Sequence, residues 1–155
     1  LSSSSAASDV YKRQLGKPYH KEIAGKQTVN FNISHSGEFI LEGFAVGMDI
    51  GVDVQEMAGC PDYREIAGNF YTAEEAEDVI NEGPELFFQY WAAKEAYVKA
   101  IGIGLGRGMD FFSVRNGEIT EKGRKGQGWH LYPVKIEGYA AYVAAHKKGD
   151  KSNEL

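Results

Sequence analysis

The sequence predicts an α+β fold, and three observations predict it. Strand-like runs occur at 29–33 (VNFNI), 39–47 (FILEGFAVG) and 50–55 (IGVDVQ). A helical stretch dominates the middle of the chain at 84–101 (PELFFQYWAAKEAYVKAI). Strand-like runs return at 111–114 (FFSV), 129–136 (WHLYPVKI) and 139–146 (YAAYVAAH). Strands, then helices, then strands describe an α+β unit rather than repeated βαβ units.

Taken in order, residues 1–14 (LSSSSAASDVYKRQ) carry no apolar periodicity and no initiator methionine. They lack the apolar region of a signal peptide and read as a linker or an adaptor-derived scar. On that reading the natural sequence begins in mid-chain near Leu15. Gly47-Met48-Asp49 makes a tight turn between the second and third strands. A short helix is expected at about 62–68 and a clearer one at 73–81. Thr72 with Glu75 three residues later has the spacing of a capping box. Pro84 suits the first turn of the long helix and Gly102 its C-terminal cap. Gly138 turns the last two strands into a hairpin. The tail 147–155 (KKGDKSNEL) is polar. Residues 15–146 therefore form one unit, without internal repeat or interdomain linker.

Composition narrows the function classes. The 155 residues are 43% hydrophobic and 25% charged, enough for a sizeable core without staples. Cys60 is the single cysteine, so an intrachain disulfide framework and a cysteine zinc cluster are both excluded. No apolar run approaches the roughly 20 residues of a membrane helix, so no membrane partner is expected. The net charge of −5 argues against a general nucleic-acid binder. An anionic ligand must then be met by a local cationic cluster.

Three constellations carry chemistry. In Gly51-Val52-Asp53-Val54-Gln55-Glu56, strand alternation puts Asp53 and Gln55 on one face and the two valines on the other. Asp53 is either a solvated strand-end residue or a ligand for a hard metal such as Mg²⁺. On the long helix, Trp91, Glu95 and Lys99 are spaced i, i+4, i+8 and share one stripe. That stripe is either a core tryptophan beside a surface ion pair or an aromatic, an acid and a base gathered at a site. In Phe31-Asn32-Ile33-Ser34-His35-Ser36-Gly37, Ser34 and His35 offer donors to a phosphate, or His35 is structural. There is no G-x-S-x-G elbow, no Walker loop and no H-E-x-x-H. The glycines of 102–108 (GIGLGRG) follow a helix and lead to a strand, the wrong context for a dinucleotide loop.

With GKPY (16–19), FNISHSG (31–37), GVDVQ (51–55), FYTAEE (70–75) and WAAKEAYVKAIGIGL (91–105) in this order, the chain resembles the 4′-phosphopantetheinyl transferase superfamily. The resemblance is to the surfactin-synthetase-activating type rather than to the short trimeric holo-acyl-carrier-protein synthases. It implies an antiparallel sheet packed by a long helix, as one half of a two-half pseudo-dimer. It implies transfer of the 4′-phosphopantetheine group of coenzyme A to a serine of an acyl or peptidyl carrier protein. Adenosine 3′,5′-bisphosphate is the other product, Mg²⁺ the cofactor and the cytoplasm the location.

The resemblance also implies roles. Asp53 and Glu95 match metal ligands, and Glu95 the base for the carrier serine. Lys99 matches the lysine at the pyrophosphate or leaving group, and Lys94 the other lysine of the W-x-x-K-E motif, on the coenzyme. Ser34 and His35 match the pair holding the 3′-phosphate, and Lys17 a lysine near the nucleotide. Gln55 stands where many members have a second acid; its oxygen can coordinate the metal with one negative charge fewer. Only the second, catalytic half is expected here, with Phe39, Phe44, Trp91 and the strands at 129–146 free to pack on a partner or to drive self-association. The alternative is a non-catalytic remnant that binds carrier protein or coenzyme A without turnover.

Overall fold

A computed structural model describes residues 10–12, 18–20, 29–104, 108–126 and 128–147. Two short strands come first, β1 (Val10–Lys12) and β2 (Pro18–His20), paired antiparallel. The first of them falls inside the segment expected to be a linker. A hairpin follows, β3 (Val29–Ser36) with β4 (Phe39–Val46). Its turn uses Gly37 at φ 53, a left-handed conformation that favours glycine.

Gly47, at φ 66, hands the chain directly to β5 (Met48–Glu56). The turn is thus shorter than the expected three residues. It also does not make a hairpin, because β5 pairs with β10 (Tyr139–Lys147) rather than with β4. The order β5-β10-β9, with β9 at Trp129–Pro133, forms an antiparallel sheet.

Three helices follow β5: α1 (Tyr63–Phe70), α2 (Ala73–Glu82) and α3 (Pro84–Ile101). The Thr72 side chain and Glu75 close the expected capping box on α2. Pro84 opens α3, and Gly102 ends it in the left-handed conformation. A small meander, β6 (Phe112–Ser113), β7 (Thr120–Glu121) and β8 (Arg124–Lys125), then covers α3. Two-residue strands are too short to show alternation, so β7 and β8 left no signal in the sequence.

The packing of α3 on the sheet is unusually close. Ala92, Ala96 and Ala100 are buried at four-residue spacing. A Cβ built on Gly51 would lie 2.1 Å from the Ala96 carbonyl oxygen and 2.4 Å from the Ala100 nitrogen. Strand β5 therefore meets α3 backbone to backbone. Tyr97, Val98, Met109, Phe112 and Ile119 fill the core on the meander side. Tyr63, Ala67, Tyr71, Val79 and Phe87 join α1 and α2 to the start of α3. Trp91 bridges the two clusters and packs on Phe70, Tyr71 and Phe87. It is partly buried there and keeps some exposed surface.

The hairpin reverses the usual pattern of a sheet. Asn30, Asn32 and Ser34 are buried, whereas Val29 and Ile33 on the alternate positions are exposed. The inward polar row serves the open edge of β5. The Val52 amide donates to Asn32 Oδ1 at 2.8 Å, the Val54 amide to Ser34 Oγ at 3.3 Å and the Glu56 amide to Ser36 Oγ at 2.9 Å. At Val52 and Val54 side chains thus satisfy main-chain groups that would otherwise be buried without partners. The outward face carries several apolar side chains beside His35 and Glu42: Phe31 stacks on Phe44, and Ile40, Phe44 and Val46 are each more than half exposed.

Candidate active site

Three elements meet at Asp53. Strand β5 brings it to the face that Gly51 presses on α3, and the absence of a side chain at Gly51 lets the helix approach. Asp53 is 1% exposed and opposite Tyr142 in the sheet. From α3, Lys99 donates to Asp53 Oδ1 at 2.6 Å and to Ser34 Oγ at 3.0 Å. From β3, Ser34 donates its own proton to Asp53 Oδ1 at 2.8 Å. Gln55, on the same face of β5, donates its amide to Asp53 Oδ2 at 2.8 Å. A buried carboxylate needs such partners, because desolvating an unpaired charge is costly.

Glu95 stands one turn before Lys99 on α3 and is also buried. Burial pushes its carboxyl up to about 7, and the charge of Asp53 pushes in the same direction. The Lys99 ammonium opposes both. The two carboxyls therefore share one field although 42 residues separate them in sequence. A carboxyl poised near neutrality is suited to take a proton from a hydroxyl.

The structure thus brings together Asp53, Gln55, Glu95, Lys99 and Ser34. It does not bring His35 with them. In the register of the hairpin Ser34 faces Leu41 and His35 faces Ile40, and His35 lies exposed on the opposite face of β3. Lys17 lies outside the described residues.

Lys94 also stands apart. Its side chain is fully buried, its ammonium 2.7 Å from Glu75 Oε2, and it donates to the carbonyls of Met109 at 2.8 Å and Phe112 at 2.5 Å. Three donors meet three acceptors, which leaves none for a coenzyme. Glu75 was legible only as a capping residue. Its pairing with Lys94 depends on the packing of α2 against α3, which no short-range pattern announces. The polar row Asn30, Asn32, Ser34, Ser36 did leave a signal, polar residues at every second position.

The donor set fits magnesium. Two buried carboxylates and an amide offer hard oxygen ligands, and Mg²⁺ on phosphate substrates is commonly held by one or two carboxylates plus phosphate oxygens. Among the described residues no group of three or more His, Cys, Asp or Glu side chains gathers that could form an all-protein cage.

Asp53 of β5 is ion-paired with Lys99 of α3, and Glu95, one turn before Lys99, shares their field, so a strand and a facing helix hold one charged cluster. The profile of the 4′-phosphopantetheinyl transferase superfamily matches residues 49–145, so the chain belongs to that superfamily. Among curated relatives, the 4′-phosphopantetheinyl transferase psf-1 of Bacillus pumilus is 33% identical over 107 residues, covering 66% of this chain and 43% of that protein. The 4′-phosphopantetheinyl transferase Sfp of Bacillus subtilis is 33% identical over 66% of this chain and 45% of its own length. The human L-aminoadipate-semialdehyde dehydrogenase-phosphopantetheinyl transferase is 31% identical over 79% of this chain and 47% of its own. The chain spans less than half the length of these three relatives. The holo-[acyl-carrier-protein] synthase of Thermotoga maritima superposes with a TM-score of 0.48 and 20% identity, over 67% of this chain and 70% of that one.

Proposed function

We propose that the chain transfers the 4′-phosphopantetheine group of coenzyme A to a serine hydroxyl of an acyl or peptidyl carrier protein. The observation that supports this most is the meeting of Asp53, Glu95 and Lys99, from strand and helix, at the motifs shared with the superfamily. In the reaction the serine oxygen attacks the phosphorus that carries the pantetheine arm. The P–O bond within the pyrophosphate breaks, and its bridging oxygen leaves with adenosine 3′,5′-bisphosphate. Glu95 takes the serine proton, for which its raised affinity is suited. Lys99, already among charged partners, places a cation beside the pyrophosphate. Asp53 and Glu95, with Gln55, would hold Mg²⁺, whose chemistry is to neutralise charge on the phosphate oxygens. Coenzyme A and carrier proteins meet in the cytoplasm, which is the location this reading carries.

The test is coenzyme A-dependent mass gain on a carrier protein, with Asp53→Ala as the control. The expected result is a gain of one phosphopantetheine by wild type and none by a folded Asp53→Ala chain. Undiminished transfer by the variant sinks the assignment of Asp53. Binding of coenzyme A or carrier protein without any mass gain would favour a binding role instead.

The apolar outer face of the hairpin supports a second element of this proposal, self-association. Phe44 and Val46 are exposed beside Val29, and Ile33 and Ile40 lie further along the same face, next to Glu42 and His35. Contiguous apolar surface of this kind commonly marks an interaction site.

A further inference from the structure

We propose that Asn32 is a positioning residue: its side-chain carbonyl, with the bare backbone of Gly43 beside it, fixes where β5 holds Asp53. The inference rests on the transferase reading and adds to it a residue outside the charged cluster. Asn32 is buried in the middle of β3, on the face turned toward β5. Burying an amide is costly, and a leucine of similar shape would pack there without that cost. What the amide provides is an acceptor. Its Oδ1 receives the Val52 amide at 2.8 Å, on the edge of β5 away from β10. The donor is a main-chain N–H, so the group that meets it is the side-chain oxygen and not the NH2.

Gly43 sets the distance. It lies opposite Asn32 in the register of the hairpin. A Cβ there would stand 2.6 Å from Val52 Cγ1 and 2.9 Å from Ile50 Cδ1. Ile50 can swing its terminal carbon aside, but Val52 is fully buried and, being β-branched, stiff at χ1. The hairpin, not the valine, would give way. The Asn32 bond and the Gly43 approach therefore act on the same residue, one by attraction and the other by the lack of a side chain.

Val52 is a sensitive place to hold the strand. Gly51, the residue before it, lies against the Ala96 carbonyl and the Ala100 amide of α3. The peptide that joins Gly51 to Val52 is planar, so the helix grips one end of it and the hairpin the other. Asp53 is the next residue, and its Oδ1 meets Lys99, which comes from α3, at 2.6 Å. A hairpin that backs away frees β5 on one side only. The Asp53 carboxylate then shifts against Lys99 and Glu95, and a misplacement of about 1 Å at reacting groups can cost about 100-fold in rate.

The experiment measures folded Asn32→Leu and Gly43→Ala chains in the carrier-protein assay. The first removes the acceptor at nearly constant shape, and the second pushes the hairpin off the strand. They reach Asp53 by different routes, so either carries the test if the other does not fold. Each should lower kcat about tenfold or more. The loss should be the same with 3′-dephospho-coenzyme A as with coenzyme A, because it acts through Asp53. Adding Val52→Ala to Gly43→Ala removes the clashing carbon and should bring kcat to within about threefold of Val52→Ala alone. Unchanged kcat in a folded single variant overturns the proposal, as does a double variant no faster than Gly43→Ala. A loss confined to coenzyme A overturns it too, since that would put the effect at the Ser34–His35 pair and the 3′-phosphate. A readout without substrate separates the proposal from the transferase reading. The ¹³C resonance of the Asp53 carboxylate in the 155-residue chain should move in both single variants and return in the double variant toward its place in Val52→Ala. An unmoved resonance overturns the proposal. The expected movement in a chain that transfers nothing would remove the transferase reading and leave the hold of the hairpin on Asp53 established.

Discussion

The ammonium of Lys94 lies 2.7 Å from Glu75 Oε2, with both side chains wholly shielded from water. The pair joins α3 to α2, and each partner also holds a main-chain group of the segment after α3. Lys94 binds the Met109 and Phe112 carbonyls, and Glu75 Oε1 receives the Val114 amide at 2.6 Å. Burial pulls the Lys94 ammonium below its ordinary value, and Glu75 opposes that shift.

Lys94→Met should therefore be strongly destabilising, by about 3–5 kcal/mol, because it strands a buried carboxylate. Adding Glu75→Leu should recover only part of the loss, since the Val114 amide then has no acceptor. Urea denaturation of the single and double variants checks this. A Lys94→Met chain as stable as wild type, but weaker in coenzyme A binding, would restore the coenzyme role that the motif suggests.

Gly51→Ala should prevent β5 from reaching α3. The added carbon would stand 2.1 Å from a backbone oxygen that cannot move without moving the helix. The expected result is a loss of cooperative unfolding, or a destabilisation above about 3 kcal/mol. Gly59→Ala meets nothing within 4 Å and should lie within about 0.5 kcal/mol of wild type. Similar melting curves for the two variants would contradict the packing.

The pH dependence of stability should carry the signature of Glu95. Its carboxyl rises from 4.5 to about 7 on folding, so between those values the native chain binds more protons than the unfolded one. Stability contributed by this group is then present at low pH and falls as pH rises through that window. The size is on the order of 1–3 kcal/mol. Glu95→Gln should remove this part of the slope. Urea melts at about pH 4.5 and about pH 8 measure it, and equal slopes for variant and wild type would refute it.

Gln55→Glu exchanges the donor on Asp53 Oδ2 for a second carboxylate. Metal-free, this should lower the melting temperature. With the ion present it should lower the Mg²⁺ concentration needed for half-saturation, read by Mn²⁺ competition. An unchanged concentration would show that position 55 has no part in holding the ion, and a rise would show that a second carboxylate there does not strengthen the site.

Ile40→Lys together with Phe44→Lys should abolish self-association, because both side chains stand on the outer face of the hairpin and more than half exposed. Light scattering after size exclusion reads the outcome. Unchanged oligomers would place the contact elsewhere.

Much of the molecule was legible along the chain because its signals are local. Alternation marked the hairpin and β5, and Thr72 with Glu75 marked the start of α2. Pro84 and Gly102 bounded α3. The placing of Asp53 with Gln55, and of Glu95 with Lys99, followed from the periods of strand and helix, which are properties of the backbone alone. Residue type and spacing also set which side chains could be acids, bases or phosphate partners.

The tertiary structure decided which of these groups meet. Lys94 and Lys99 are five residues apart on one helix, yet one is sealed against Glu75 and the other is half-buried on Asp53. Ser34 and His35 are neighbours, yet one joins the charged cluster and the other faces outward. Trp91 packs, partly buried, against Tyr71 and Phe87, partners that no local pattern names. The physical reason is that a partner at long sequence distance is chosen by how elements pack. Gly51 against Ala96 sets how closely β5 approaches α3, and that approach determines which carboxylates and ammoniums share a field.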